Sequence, residues 1–314
     1  MRVADSTDLE LVNCDLCEST ETQAVVTRPD GFQVVECRNC GLGYVNPRPS
    51  KNTILKLYDD EYFSKRKKNG NASRYGFADY LSKSNQNFLR AAAEARLRLS
   101  GRYVDVRNKV CIEVGCATGE FCEVLRCHGA KVVGLDLGAE AIAQAGLRYP
   151  LIDFREGDLS VIRADEQVDL IFAFEVIEHV DSPGQFLADL ASHLRAGGQL
   201  ILTTPNYSCG RRVGVDRWSG FQSSLEHLYF LNSQSITQYA TKVGLTIEAS
   251  LTGNGEGIHI EQGFDLKEPV RQVLRKMGLL DLLRRYRSRP MSGPDPEYSE
   301  RDDFHNLFVV LAKS

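Results

Sequence analysis

Apolar and polar positions along most of this 314-residue chain follow two alternating rhythms. Short runs rich in valine, isoleucine, leucine and phenylalanine give way to longer stretches in which apolar residues return every three or four positions. From position 109 onward the order is strand, helix, strand, helix, which predicts an α/β fold with a parallel, doubly wound sheet. The predicted strands are KVCIEV (109–114), KVVGL (131–135), LIDFREGD (151–158), VDLIFAF (168–174), QLILTT (199–204), LTIEA (245–249) and NLFVVLAK (306–313). Helical periodicity covers 120–128 and 139–148, then a helix capped by Ser182 with Pro183 at its first position and Gly197-Gly198 at its end. A further helix, 233–243, is stopped by Gly244. Upstream, 77–99 reads as a long amphipathic helix ended by Gly101 and placed to cover a ligand pocket, and Ser50 reads as the N-cap of a short helix over 51–63.

The N-terminal hundred residues add a different motif. Cys14-x-x-Cys17 and Cys37-x-x-Cys40 flank two short strands turned at Pro29-Asp30-Gly31. At this spacing each turn points two sulfurs inward, so four thiolates can close a tetrahedral shell around one structural Zn²⁺, the layout of a zinc ribbon. A redox C-x-x-C would want one pair beside a βαβ unit, whereas both pairs here belong to a hairpin module. Between Asn13 and Arg48, five acids (Asp15, Glu18, Glu21, Asp30, Glu36) outweigh three bases (Arg28, Arg38, Arg48), which argues against docking on nucleic acid. The run Lys65-Arg66-Lys67-Lys68 with Asn69-Gly70-Asn71 reads as an exposed linker.

Composition narrows the class further. A hydrophobic share of 42% suits one large core with a smaller appendage, and a net charge of -4 gives no broad attraction to nucleic acid or anionic membranes. No apolar run reaches the roughly 20 residues of a membrane span, and MRVADSTDLE lacks a signal-peptide core, so a cytoplasmic protein is expected. Nine cysteines would be odd as a disulfide set in that compartment, which strengthens the metal reading of the two pairs.

The sharpest motif is VCIEVGCATG at 110–119, a buried strand carrying Glu113 that runs into a glycine turn opening a helix. Its spacing, Glu-x-Gly-x-x-x-Gly, departs from the dinucleotide fingerprint G-x-G-x-x-G. It resembles motif I of the class I S-adenosylmethionine-dependent methyltransferases. Together with CRNCGLGYVNPRP, Gly134-Leu135-Asp136, Gly157-Asp158, Glu178-His179, Thr204-Pro205-Asn206 and Glu226-His227-Leu228, the chain resembles a zinc-ribbon-bearing subgroup of those enzymes that includes sugar C-methyltransferases.

That resemblance implies a Rossmann-like, seven-stranded sheet with its last strand antiparallel. It divides the chain into a zinc ribbon (11–48), a helical cover and linker (49–104), and a methyltransferase domain (105–314) with an insertion at about 250–303. It also implies S-adenosylmethionine as cofactor. Asp136, 21 positions after Gly115 and closing the second strand, would hold the ribose hydroxyls. Asp158 would accept from the adenine amine, with Leu137 and Leu159 on the two ring faces. Gly115, Ala117, Gly119 and the carbonyl of Phe174 would meet the methionine end, and Glu113 would organise the loop and the amino group.

On the acceptor side, Glu175, Glu178 and His179 lie at the carboxyl edge of the sheet, where ligands bind in open α/β folds. His227 is the expected general base, made more basic by Glu226, with His179 second. In the sugar C-methyltransferases a tyrosine stands two positions before this Glu-His pair, where Ser224 stands here, and an additional C-terminal domain follows the core, for which no room is expected here. The expected acceptor is therefore a hydroxyl of a saccharide, nucleotide-sugar or glycosylated natural product. The alternatives are C-methylation of a nucleotide-linked ketosugar, or RNA modification with the ribbon as docking module. Basic amphipathic helices over 268–287 are expected to pack on the domain or on a sister subunit, which would make a homodimer.

Overall fold

A computed structural model describes residues 9–50, 83–214, 218–222, 226–253, 298–299 and 305–314. The helix expected over 51–63, the basic run 65–68, the start of the 77–99 helix, Ser224 and most of the 250–303 insertion, including 268–287, lie outside the described residues.

The predicted alternation closes into one mixed sheet. Its strands are β6 (Val110–Val114), β7 (Lys131–Asp136), β8 (Asp153–Glu156), β9 (Val168–Phe174), β10 (Leu194–Pro205), β12 (Leu245–Gly253), the two-residue β13 (Tyr298–Ser299) and β14 (Asn306–Lys313). Their order is β13-β12-β14-β10-β9-β6-β7-β8. Strands β6 to β10 are mutually parallel, whereas β14 runs antiparallel to both β10 and β12. Apart from the short β13 at one edge, this is the seven-stranded arrangement with an antiparallel last strand.

Side-chain alternation explains why the sheet is covered on both faces. Ile112, Val114, Ile171, Ala173, Leu200, Leu202, Val309 and Leu311 pack into one core. Their neighbours Cys111, Leu170, Phe172, Ile201, Phe308 and Val310 pack into the other. The second face is covered by helices α1 (Lys83–Ser100) and α2 (Glu120–Cys127), with α3 (Ala139–Arg148) beside them near β7 and β8. The first face is covered by α4 (Pro183–His193) and, after the short helices α5 (Tyr207–Val213) and α6 (Ser219–Gln222), by α7 (Ser233–Lys242).

Local chemistry sets the helix ends. Ser182 accepts from Gln185 N, as its position predicts, while α7 is capped by Asn232 in a reciprocal pairing with Ser235. Helix α4 stops at His193, short of the predicted Gly197-Gly198, because Leu194 already pairs with Val168 and the chain bulges before rejoining β9 at Gln199. Strand β8 is shorter than predicted and β12 longer.

The N-terminal module is a sheet of β2 (Thr22–Thr27), β3 (Gln33–Cys37) and β4 (Gly43–Val45), joined by a distant fourth strand, β11 (Tyr229–Phe230), in the order β11-β4-β3-β2. A small antiparallel pair, β1 (Leu9–Glu10) with β5 (Arg48–Pro49), closes its base. Cys14, Leu16, Val35, Cys37, Leu42 and Tyr44 share the first-face core with Leu187, Leu190, Ile236 and Tyr239 of α4 and α7. Asp15 reinforces this seam by accepting from Ser182 Oγ (2.6 Å), Gly184 N (2.9 Å) and Tyr239 Oη (2.8 Å).

Candidate active site

The loop between β6 and α2 carries three residues with left-handed backbone, Gly115 (φ 74°), Ala117 (φ 46°) and Gly119 (φ 82°). A Cβ on Gly115 would stand 2.6 Å from Val176 Cγ2, and one on Gly119 would stand 2.6 Å from the Phe154 ring. Glycine is therefore required at both bends, and the turn presents bare backbone. Asp136, at the end of β7, stabilises it: Oδ2 accepts from Ala117 N and Oδ1 from Gly138 N, both at 2.8 Å. Each oxygen has two lone pairs, so the same carboxylate can still take a ligand hydroxyl.

Glu113 is buried under the loop and accepts from the Cys122 thiol at 2.9 Å. Burial pushes its carboxyl up to about 8. Arg96 of α1, outside every predicted motif, lays its guanidinium 4.7 Å over the Phe174 ring and lowers the acid of Glu113 electrostatically. The only trace of this residue in the sequence is its place on the covering helix. Phe174 also packs edge-on against Phe121 at 4.9 Å.

The two leucines expected to flank a flat ring are not equivalent. Leu137 is 41% exposed and offers an open apolar face, whereas Leu159 is 7% exposed and packs into the first-face core with Val114 and Leu135. Asp158 is exposed and caps a single 3-10 turn, accepting from Ser160 N at 2.9 Å. Its carboxylate is thus placed as an ordinary turn aspartate that can still accept from a ligand amine.

Beyond Phe174 the chain leaves the sheet with Glu175 in a left-handed conformation (φ 56°). This bend places Glu178 and His179 beneath the 226–230 strip, where Leu228 N and Tyr229 N donate to the carbonyl of Glu178 at 2.8 and 3.1 Å. The two Glu-His pairs, 48 residues apart, therefore meet. The His179 and His227 rings stand edge to face with centroids 4.6 Å apart, and Glu178 Oε1 lies 3.9 Å from Nε2 of each. Glu178, from the other pair, thus brings a carboxyl beside the His227 ring.

Electrostatics in this cluster favour neutral groups. Glu178 is 1% exposed, neither carboxyl oxygen has a hydrogen-bond partner among the described residues, and burial together with Glu175 pushes its acid well above the carboxylate range. Burial also pushes His179 down to about 4 and Glu226 up to about 7. Around neutral pH His179 is an uncharged imidazole, able to take a proton or to act as a ligand. The donor atoms of Glu178, His179 and His227 lie within 4.8 Å of one another, a spacing a cation could also share.

In the N-terminal module the sulfurs of Cys14 and Cys40 are 3.4 Å apart and those of Cys17 and Cys37 3.5 Å, with all four within 4.8 Å of one another. A tetrahedral shell with Zn–S bonds of about 2.3 Å has edges of about 3.8 Å, so the donor set fits Zn²⁺. Burial pushes the Cys14 thiol up strongly, a cost that metal coordination of the thiolate would reverse. Among the described residues no helix is long and apolar enough to cross a membrane.

Comparison with known proteins matches residues 84–250, just over half of the chain, to a family described as a methyltransferase domain. A Mycolicibacterium smegmatis protein named as a probable S-adenosylmethionine-dependent methyltransferase is 30% identical over 144 residues, 45% of this chain and 53% of its own length. A ubiquinone biosynthesis O-methyltransferase of Rhodopseudomonas palustris is 34% identical over 125 residues, 38% of this chain and 49% of its own. The chain thus spans about half the length of these curated relatives. A crystal structure from Pyrococcus horikoshii superposes with a TM-score of 0.50 at 15% identity, covering 76% of this chain and 100% of that one, which shows a shared fold.

Proposed function

The chain belongs to the methyltransferase-domain family, and on that footing we propose that it transfers a methyl group from S-adenosylmethionine to a hydroxyl of a small-molecule acceptor, with His227 as general base. The observation that carries the acceptor side is the meeting of the two Glu-His pairs, with His227 and His179 edge to face over a buried Glu178. S-adenosylmethionine supplies an electrophilic methyl group on a sulfonium.

The chain's own residues do the rest. Asp136 holds the 115–119 loop through Oδ2 and the start of α3 through Oδ1, and its remaining lone pairs would take the ribose hydroxyls. Leu137, open on one face, would cover one side of the adenine, and Asp158 would accept from its amine. Glu113, Gly115, Ala117, Gly119 and the Phe174 carbonyl would border the methionine end, and Arg96 would meet its carboxylate. His227 removes the acceptor proton as the new bond forms. Burial raises the acid of Glu178 and keeps the His179 imidazole neutral beside His227, while Glu226 borders the acceptor.

A saccharide, nucleotide-sugar or glycosylated natural product is the favoured acceptor, on the resemblance of CRNCGLGYVNPRP and Glu226-His227-Leu228 to a subgroup that includes sugar-modifying enzymes. The O-methyltransferase named among the relatives supports oxygen as the atom methylated. The four cysteines hold a structural Zn²⁺, supported by their mutual spacing. The test is a screen of nucleotide-sugars, glycosides and phenols for methyl incorporation by mass, followed by His227→Ala on the substrate found. Loss of turnover by about 10²-fold or more with unchanged cofactor binding is expected; wild-type turnover would remove His227 from this role.

A second reading places a divalent cation on Glu178, His179 and His227, favoured by the two unpartnered oxygens of Glu178. Paramagnetic resonance of added Mn²⁺ separates the two: tight binding that is lost in Glu178→Gln supports the cation.

A further inference from the structure

The N-terminal module reaches the acceptor side of the site through one side chain that no motif singled out. Arg28 stands at the end of the β2–β3 hairpin with its side chain 2% exposed, beside Asp30 at 3%. Its Nε and Nη2 donate to the two Asp30 oxygens at 3.3 and 2.7 Å. Its Nη1 donates to the backbone carbonyl of His227 at 2.6 Å, across 199 residues of sequence.

The geometry follows from the chemistry of the group. A guanidinium is planar, with its donors in a fixed fork, so anchoring one edge on Asp30 aims the remaining nitrogen. The hairpin turn is closed without the guanidinium, by Gly31 N donating to the Arg28 carbonyl at 2.9 Å, Arg28 N to Phe32 O at 2.8 Å and Phe32 N to Asp30 Oδ1 at 3.2 Å. A buried ion pair is moreover a weak source of stability, because desolvation consumes most of the attraction. What it does supply is a fixed position for the strip that carries His227. The same strip is held on one side by Val45 N donating to Leu228 O at 2.8 Å and by the β4–β11 pairing, and on the other by the carbonyl of Glu178.

We propose that Arg28, oriented by Asp30, is a positioning residue for the acceptor site: it fixes the His227 backbone so that the imidazole stands edge-on to His179 and beside Glu178. The catalytic consequence rests on the reading of His227 as base; the positioning itself does not.

The test uses the full chain, labelled on its six histidines, and reads the nuclear Overhauser effect between the His179 and His227 rings. Cofactor affinity is measured by calorimetry and metal content by mass spectrometry. In the double variant Arg28→Met, Asp30→Asn, which removes both members of the ion pair and keeps a side-chain oxygen at position 30 to accept from Phe32 N, the ring-to-ring effect should fall at least fivefold while cofactor dissociation constant and metal content stay within twofold. Arg28→Lys keeps the charge but cannot span both partners, and should weaken the effect at least twofold. An unchanged effect in the double variant overturns the proposal; should that variant not fold, an unchanged effect in Arg28→Lys overturns it. Failure of the base reading is separate, since it would appear as wild-type turnover in His227→Ala whatever the Arg28 variants do.

Discussion

Single side chains in this protein derive their chemistry from burial more than from sequence neighbours. Glu113, Glu178 and Glu226 are carboxyls moved towards neutrality, and His179 is an imidazole held neutral, each with desolvation as the main cause. Folding linkage gives these shifts opposite signs. His179 titrates lower in the folded chain than unfolded, so its contribution is complete above about pH 6.5 and is lost as pH falls towards about 4. Glu113 titrates higher when folded, so its contribution is complete below about 4.5 and is lost as pH rises towards about 8. Because three raised carboxyls outweigh one lowered imidazole, the cofactor-free protein should lose stability as pH rises from about 4.5 towards 8. Thermal melts across pH 4–9 check this: Glu113→Gln should make the decline shallower, and His179→Gln should make it steeper below about pH 6.5. At the same scale, Asp136→Ala removes the acceptor of Ala117 N and Gly138 N and should weaken cofactor binding by at least tenfold in calorimetry. Retained affinity would place the ribose elsewhere.

Elements act by bringing these residues to one edge of the sheet. The strand-turn-helix over 110–127 was legible because its signals are local: a buried β-prone run, glycines at the left-handed positions and a helical pattern beyond them. Gly115→Ala tests how tightly that element is drawn. Its Cβ would meet Val176 at 2.6 Å on a backbone at φ 74°, costing roughly 1–3 kcal/mol. The melting temperature should fall and cofactor affinity should fall with it, since Val176 borders the turn out of β9. By contrast, the early stop of α4 was not legible. Gly197-Gly198 is a good helix terminator in isolation, but Leu194 gains a strand partner in Val168 before the chain reaches it.

At the scale of the whole molecule, the four-cysteine module and the central sheet share one core. Cys14, Leu16 and Cys37 pack with Leu187 and Ile236, and β11 completes the module's sheet from the far end of the chain. Removing the proposed Zn²⁺ should therefore lower a single calorimetric transition, by on the order of 10 °C, in place of melting a separate module first. Two resolved transitions after chelation would show that the shared core is too weak to couple them.

What the sequence determined by itself was the repeating part: the order of strands and helices, the antiparallel last strand through the family resemblance, the left-handed glycines and the cysteine spacing. These are encoded within windows of a few residues, by periodicity, backbone sterics and ligand geometry. Only the tertiary structure decided which groups face one another across the site. Glu178 stands beside the His227 ring, Arg96 lies over the Phe174 ring, and Arg28 holds a carbonyl 199 residues away. Such pairings depend on how closely packed elements cross in space, and buried electrostatics then follows from the packing; neither leaves a pattern that any short stretch of chain can carry.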